Sequence, residues 1–431
     1  MNQTSDTPAA EPVDWGRIQR WSFLAALGGL SAFVFLGIVN LMGTSSTNGM
    51  RTFFLTYSVG FACWFVVTYG SIALRTIHHL CGTSWGLLLR PMFVGASKGM
   101  YIMPLLFLPI AISFFIGNNS PYWWARPVEE PIPQVLSEEL GGVEAQERAI
   151  EDARFRRDNY LNPPFTLGRA AIYFLIWIGF VLMLNRWVGG DREGDGLAHE
   201  KLKNMSGPFL IFWAIIGTFA ATDWFMSLEP AWSSTMFPVV FGVTCMLSCL
   251  VFSASILLSV LNYAPLAHVV RDKHKIDVGS LTLALTMVWS YTSFSQFLLV
   301  WVANLPEEIP FFLKRTKEGW EWVSRALCIL FFGLGLLLLL FRDIKKNPVR
   351  LRRMTLWLLF MSFVNVLWWI LPALPHPDQY LHVPMAIAAV IGVGGIWGWW
   401  FARNMKDVPL LVPHEALMVE GEYHRELHHG H

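Results

Sequence analysis

Ten long apolar stretches dominate this chain, beginning near Trp21, Thr52, Met100, Phe165, Gly207, Met236, Ser280, Val323, Met354 and His382. Roughly 20 apolar residues in a helix cross a ~30 Å hydrocarbon core. A helix does so with its backbone groups paired internally, whereas looser backbone strands polar groups in lipid. The expected fold is therefore an all-α integral membrane protein with ten transmembrane helices. Composition agrees: 15% of the 431 residues are charged and 54% are hydrophobic, where a soluble domain carries about a quarter charged residues. The net charge is +1 and the Lys and Arg sit between the apolar stretches, so no basic face for nucleic acid is present.

The connections set the expected orientation. Segments on the N-terminal side hold 21 Lys and Arg and those on the opposite side hold 9, leaving out Arg169 and Arg325 inside helix starts. Short cytoplasmic loops carry the excess of cations, which places both termini in the cytoplasm. Residues 1–20 then form a cytoplasmic N-terminus, 21–402 the membrane domain and 403–431 a cytoplasmic tail ending in HRELHHGH. No small-residue cleavage site follows the first apolar stretch, which reads as a retained helix. One connection is long, residues 117–164 on the outer side. Within it Val143 to Tyr160 is charged, free of Gly and Pro, and runs to Asn162-Pro163-Pro164. It reads as a surface helix that either docks a partner or caps the bundle.

A weak internal repeat links segments four apart. The third runs out into Asn118-Asn119-Ser120-Pro121-Tyr122-Trp123-Trp124, the seventh into Asn304-Leu305-Pro306-Glu307-Glu308-Ile309-Pro310-Phe311-Phe312. The fifth ends Trp224-Phe225-Met226-Ser227-Leu228-Glu229-Pro230 and the ninth Trp368-Trp369-Ile370-Leu371-Pro372. Two four-helix bundles are expected, helices 2–5 and 6–9, with helices 1 and 10 peripheral.

Chemistry is sparse, which makes each polar residue informative. The five cysteines form no CxxC or CxxCH, and no nucleotide fingerprint appears. His78, His79, His268 and His382 all sit at segment ends, not at the mid-membrane depth a b-type haem requires. Cys245 and Cys249 share a helix face as small packing residues. No metal or bound cofactor is expected on the chain.

Asp223 lies about five residues inside the fifth segment, and an ionisable group there marks a functional candidate. Thr218, Thr222 and Ser227 stand beside it. Glu229, Glu307, Glu308, His376, Asp378 and His382 fall on the same side, where they could pass protons or serve as ordinary interfacial residues. On the seventh segment Thr282, Thr286, Ser290 and Ser293 share a face that leads past Gln296 toward Glu307. Such a stripe either orders water or bonds back to its own carbonyls. On the inner side His78, His79 and Lys98 are candidates for proton uptake, against the plain expectation of cations at an inner rim.

Three stretches carry a family resemblance: Asp223 to Phe237 (DWFMSLEPAWSSTMF), Phe294 to Arg315 (FSQFLLVWVANLPEEIPFFLKR) and His382 to Phe401 (HVPMAIAAVIGVGGIWGWWF). With ten helices at this length, the chain resembles the F subunit of bacterial alternative complex III, the quinol:cytochrome c oxidoreductase quinone-binding subunit 2. More distantly it is similar to the NrfD/polysulfide-reductase membrane anchors, whose two four-helix bundles match the repeat. The resemblance implies a subunit of the bacterial cytoplasmic membrane. Its complex would oxidise menaquinol and pass electrons through iron–sulfur clusters and c haems on partner subunits, beside a sister quinol-binding subunit. A terminal oxidase is a further partner of such complexes. Within that family the F subunit contributes a proton path, structural support or contact with quinone. Two other classes remain: a secondary transporter, though an even-numbered repeat is not the inverted kind many transporters use, and a purely structural anchor.

Overall fold

The computed structural model describes residues 13–43, 46–82, 84–127, 138–192, 196–230, 232–263, 266–304, 308–317, 319–374, 381–411 and 419. Its first half holds α1 (Trp15–Gly43), α2 (Ser46–Cys81), α3 (Ser84–Ser97), α4 (Met103–Ser113), α5 (Glu138–Asn159), α6 (Pro163–Arg192), α7 (Gly196–Trp224) and α8 (Phe237–Ser259). The second half holds α9 (Leu266–Val269), α10 (Asp272–Ala303), α11 (Ile309–Lys314), α12 (Trp320–Ala326), α13 (Leu334–Leu340), α14 (Arg342–Lys346), α15 (Pro348–Ile370) and α16 (His382–Met405). A π-helical stretch, Leu327–Gly333, joins α12 to α13.

Among the described residues nine helices are long and apolar enough to cross a membrane. A tenth crossing is a bent pair, Trp85–Tyr101 with Met103–Ser113, angled by 42°. The apolar stretch expected from Met100 thus begins earlier, and α3 runs through residues expected to lie in a connection. Pro91 and Pro109 each remove a helix N–H within the pair. At the break, Gly99 lies against an indole: a Cβ there would stand 2.6 Å from Trp397 Nε1.

Local signals account for the helix ends. Pro348 opens α15, and the Asn347 side chain accepts from the N–H groups of Val349 at 3.0 Å and Arg350 at 3.1 Å. Asn162 accepts from Phe165 N–H at 3.0 Å at the start of α6. Asn304 ends α10 with φ 50°, a left-handed conformation Asn tolerates. In the π-helical stretch the Leu330 carbonyl accepts from the Trp357 indole at 3.2 Å. Phe331, fully buried, packs with its ring centre 4.1 Å from that of Trp289 and tilted by 41°.

Packing centres on α2, whose membrane stretch is 94% buried. α2 touches α3, α7, α8, α15 and α16, and α8 touches α7, α10 and α15. α1 lies along α16, and α16 lies against α2. Small residues set these distances, because apolar helices in lipid gain from van der Waals contact rather than from escaping water. A Cβ on Gly70 would stand 1.9 Å from the Cys245 carbonyl oxygen, so α2 and α8 cross backbone to backbone. A Cβ on Gly29 would meet the Gly392 backbone N at 2.4 Å in the same way. Cys245 and Cys249 are fully buried free thiols in this seam.

The crossings, taken in chain order, define a near end, where α1 begins, and a far end, where it stops. Arg51 at the start of α2 donates to the Asn118 carbonyl after α4 at 2.9 Å, tying two far-end connections. α5 lies across the same end: Ala153 is fully buried and Arg156 donates to the Pro230 carbonyl at 2.6 Å. Arg157 donates to the Arg126 carbonyl. The surface helix expected over Val143 to Tyr160 is therefore a packed cap, slightly longer than its charge pattern indicated.

Candidate functional site

The far end carries two charged centres, built from different helices. Asp223, in the last turn of α7, is fully buried. Arg169 reaches it from the first turns of α6 with a two-pronged fork, Nε to Oδ2 at 2.9 Å and Nη2 to Oδ1 at 3.0 Å. Tyr173 Oη donates to Oδ2 at 2.8 Å. Arg169 Nη1 donates to the Tyr160 carbonyl at 2.9 Å and Nη2 also to Thr166 Oγ1 at 3.2 Å, and the guanidinium lies 3.8 Å over the Tyr160 ring. Burial, and next the Asp223 charge, push the Tyr160 phenol up to about 12. A bidentate, charge-assisted pair is among the stronger polar contacts a protein makes. Both Asp223 oxygens are engaged, and the carboxylate ties α7 to α6.

Its expected neighbours serve the helix rather than the carboxylate. Thr218 and Thr222 bond back to the Ala214 and Thr218 carbonyls at 2.9 Å each. Ser227 donates to the Asp223 main-chain carbonyl at 2.6 Å and accepts from the Trp124 indole at 3.1 Å.

The second centre is Glu229, 6% exposed in the loop after α7. Lys314 from the end of α11 bonds Oε2 at 2.6 Å. Arg315 Nη1 stands 3.8 Å from Oε1, too far for a hydrogen bond, and Oε1 is buried without a hydrogen-bond partner. Arg315 itself is fully buried and spends its donors on carbonyls: Trp368 at 3.0 Å, Trp369 at 2.7 Å and Phe311 at 2.6 Å. It thereby closes the C-terminal end of α15, where unpaired carbonyls and the helix dipole favour a cation. Burial pushes the guanidinium down to about 9, and Glu229 pulls it back up, so it is a cation at neutral pH. An unpaired carboxylate oxygen beside two cations leaves Glu229 a buried acceptor with capacity to spare.

The other far-end candidates are not drawn into one cluster. Glu308 is half-buried at the start of α11 and caps no N–H with its side chain. The His382 ring lies 6.2 Å from Trp320. Glu307, His376 and Asp378 lie outside the described residues, as does the tail 424–431. Among the described residues no group of three His, Cys, Asp or Glu side chains is placed to hold a metal ion.

The α10 stripe exists as a buried face but is used locally. Thr282 donates to the Val278 carbonyl, Thr286 to Thr282 and Ser290 to Thr286, each at 2.8 Å. Each hydroxyl keeps an acceptor lone pair free. Ser293 Oγ is buried without a partner. Gln296 Nε2 donates to Ser234 Oγ at 3.2 Å. The stripe therefore ends on the loop that carries Glu229, not on the α6–α7 pair that holds Asp223.

At the near end His78 is 4% exposed and His79 half-buried, their rings 5.2 Å apart. His78 Nδ1 has no hydrogen-bond partner, and a Cβ on Gly86 would stand 1.9 Å from it. Arg75, buried, donates to Ser97 Oγ at 2.7 Å and Asn185 Oδ1 at 3.0 Å, and Asn185 reaches Tyr101 at 3.1 Å. Lys98 follows Ser97 in the turn between α3 and α4, half-buried, its carbonyl accepting from Trp400 at 2.8 Å. The three inner candidates thus share one end with two buried arginines, Arg75 and Arg90.

Sequence reading missed two residues, Arg169 and Arg315. The signal for Arg169 was available, since a lone intramembrane cation needs a partner of opposite charge. Arg315 gave none, because its partners are main-chain carbonyls. No family model and no curated protein matches this chain.

Proposed function

We propose that the chain is a membrane subunit of a quinol-oxidising respiratory complex, resembling the F subunit of alternative complex III, with electron carriers on partner subunits. One observation carries the reading. Two of the three family-like stretches, far apart in sequence, meet at one place. Glu229 pairs with Lys314, Ser234 with Gln296, and the Trp232 and Phe311 rings stack 3.8 Å apart. Long motifs that converge on one buried charge are what a site retained for function would leave. On this reading the helices form two four-helix units, α2 to α7 and α8 to α15, joined along α2 and α8, with α1 and α16 outside. Both termini face the cytoplasm.

Within the complex, proton handling at the outer surface falls to Glu229, fed along the α10 face past Gln296. His78, His79 and Lys98 form the inner counterpart. Asp223 holds α6 to α7. Purification in mild detergent tests the assembly: c haem and iron–sulfur proteins co-isolate and quinol reduces them. Isolation of a lone chain under conditions that preserve membrane complexes would sink it. Glu229→Gln and Asp223→Asn, each in the intact complex, test the division of roles. Turnover and proton release fall for the first and hold for the second; the reverse pattern returns the role to Asp223. A structural anchor is the second reading, favoured by hydroxyls bonded to their own helices, and it requires both variants to be silent.

A further inference from the structure

One cavity at the near end lies far from both charged centres. It encloses about 650 Å³ between the end of α8, α9, the start of α10 and the start of α15. Leu258, Leu261 and Leu356 supply apolar wall, and Lys275, Arg352 and Arg353 supply charge, with no carboxylate in the lining among the described residues. Lys275 is bonded to Asp272 at 2.7 Å, outside the lining. Arg352 and Arg353 are exposed, and among the described residues neither guanidinium has an ion-pair or hydrogen-bond partner. The first N–H groups of α15 are already taken by Asn347.

Two demands must be met together. Cations side by side repel unless a counter-ion joins them, and guanidiniums bind phosphate oxygens in fork geometry. Leucines at the same mouth need apolar cover. A soluble phosphate answers only the first demand. A zwitterionic lipid covers the leucines but brings its own cation to the arginines. A diacyl lipid with net negative headgroup answers both, and it is present wherever a membrane chain resides. The site also lies at the end of the bundle whose connections carry most Lys and Arg, where long cationic side chains reach the headgroup layer.

We propose that this cavity holds one anionic phospholipid, its phosphate on Arg352, Arg353 and Lys275 and its acyl chains along Leu258, Leu261 and Leu356. The bound lipid seals the junction of α8, α10 and α15. The site is independent of what the chain does in respiration.

The test uses the full chain in neutral detergent, titrated with dioleoylphosphatidylglycerol or dioleoylphosphatidylcholine and read by intact mass. Phosphatidylglycerol binds about tenfold or more tightly than phosphatidylcholine. Each arginine removed costs about fivefold, so Arg352→Gln with Arg353→Gln weakens phosphatidylglycerol about 25-fold. Phosphatidylcholine binding stays unchanged in that variant. The Lys pair at 352 and 353, made as Arg352→Lys with Arg353→Lys, keeps the charge without the fork, so it binds phosphatidylglycerol more tightly than the Gln pair and less tightly than the parent, and shows that the fold survives. Lys201→Gln with Lys203→Gln, exposed on α7 at the same end, leaves it unchanged. Equal binding of the two lipids overturns the proposal, as does an equal loss in the α7 variant. Displacement of the lipid by millimolar inorganic phosphate assigns the site to a soluble anion and also overturns it.

Discussion

The two far-end centres place a buried carboxylate beside an arginine by opposite means. At α6–α7, Arg169 and Asp223 are matched donor for acceptor, and Tyr173 completes the shell. At the α7–α8 loop, Arg315 stands beside Glu229 but gives its hydrogen bonds to the carbonyls of Trp368, Trp369 and Phe311. Glu229 is left with one bond, to a half-exposed Lys314. The first arrangement is closed and stabilises a helix pair. The second is open, because its arginine serves the backbone and the carboxylate keeps an unused oxygen. Proximity of opposite charges is thus a poor guide to role; the count of donors and acceptors separates the two.

Breaking the closed centre should have the largest effect. Arg169→Met leaves Asp223 charged and unpaired, which costs about 3–5 kcal/mol. Arg169→Met with Asp223→Leu should recover most of that loss in a detergent denaturation titration. A double variant as unstable as the single would show that the pair does not act as a unit. Arg315→Gln comes next. It strips the cation from the end of α15 and leaves carbonyls without donors, at about 1–3 kcal/mol for a buried unpaired group. Disorder of the Trp368–Trp369 turn would appear as altered tryptophan fluorescence, and an unperturbed signal would count against the capping role. Tyr173→Phe removes one bond to a charged acceptor and should cost about 1.5–3 kcal/mol, near the lower bound because Arg169 remains.

Glu229→Gln should scarcely alter stability, within about 1 kcal/mol, since its partner Lys314 is 45% exposed and screened. On the proposed reading its effect belongs to turnover of the assembled complex, and silence there would make the open centre structural. The smallest effect is alkaline. The Tyr160 phenol, raised from 10.0 to about 12, keeps its proton in the folded chain where the unfolded chain has lost it. That contribution is complete below pH 10 and fades as pH rises toward 12. Tyr160→Phe should flatten this part of the pH profile.

Much of this was legible in the linear chain. Apolar length alone marked the crossings, because lipid tolerates nothing else. The charged run from Val143 to Tyr160 announced a surface helix, and Asn162-Pro163-Pro164 announced where it stops. Asp223 stood out because a carboxylate inside a membrane helix demands an explanation. Its partner did not follow, since Arg169 is 54 residues away and only the rotation of α6 against α7 aims the guanidinium. The α10 stripe was visible as spacing, yet spacing cannot tell a hydroxyl that faces water from one bonded four residues back. The break between α3 and α4 was hidden too, because both halves are apolar and the close approach of Gly99 to Trp397 at the break joins residues far apart in the chain.

By itself, the sequence determined that this is a helical membrane chain with about nine or ten crossings and few polar groups to explain. Those properties follow from composition and length, which the bilayer reads locally, one helix at a time. Tertiary structure alone decided which carboxylate is neutralised and which keeps an oxygen free, how closely α2 crosses α8, and where three cations meet leucine side chains around one cavity. Each depends on helix rotation and depth, set by contacts between residues far apart in the chain, and a shift of one residue turns a side chain by about 100° around its axis.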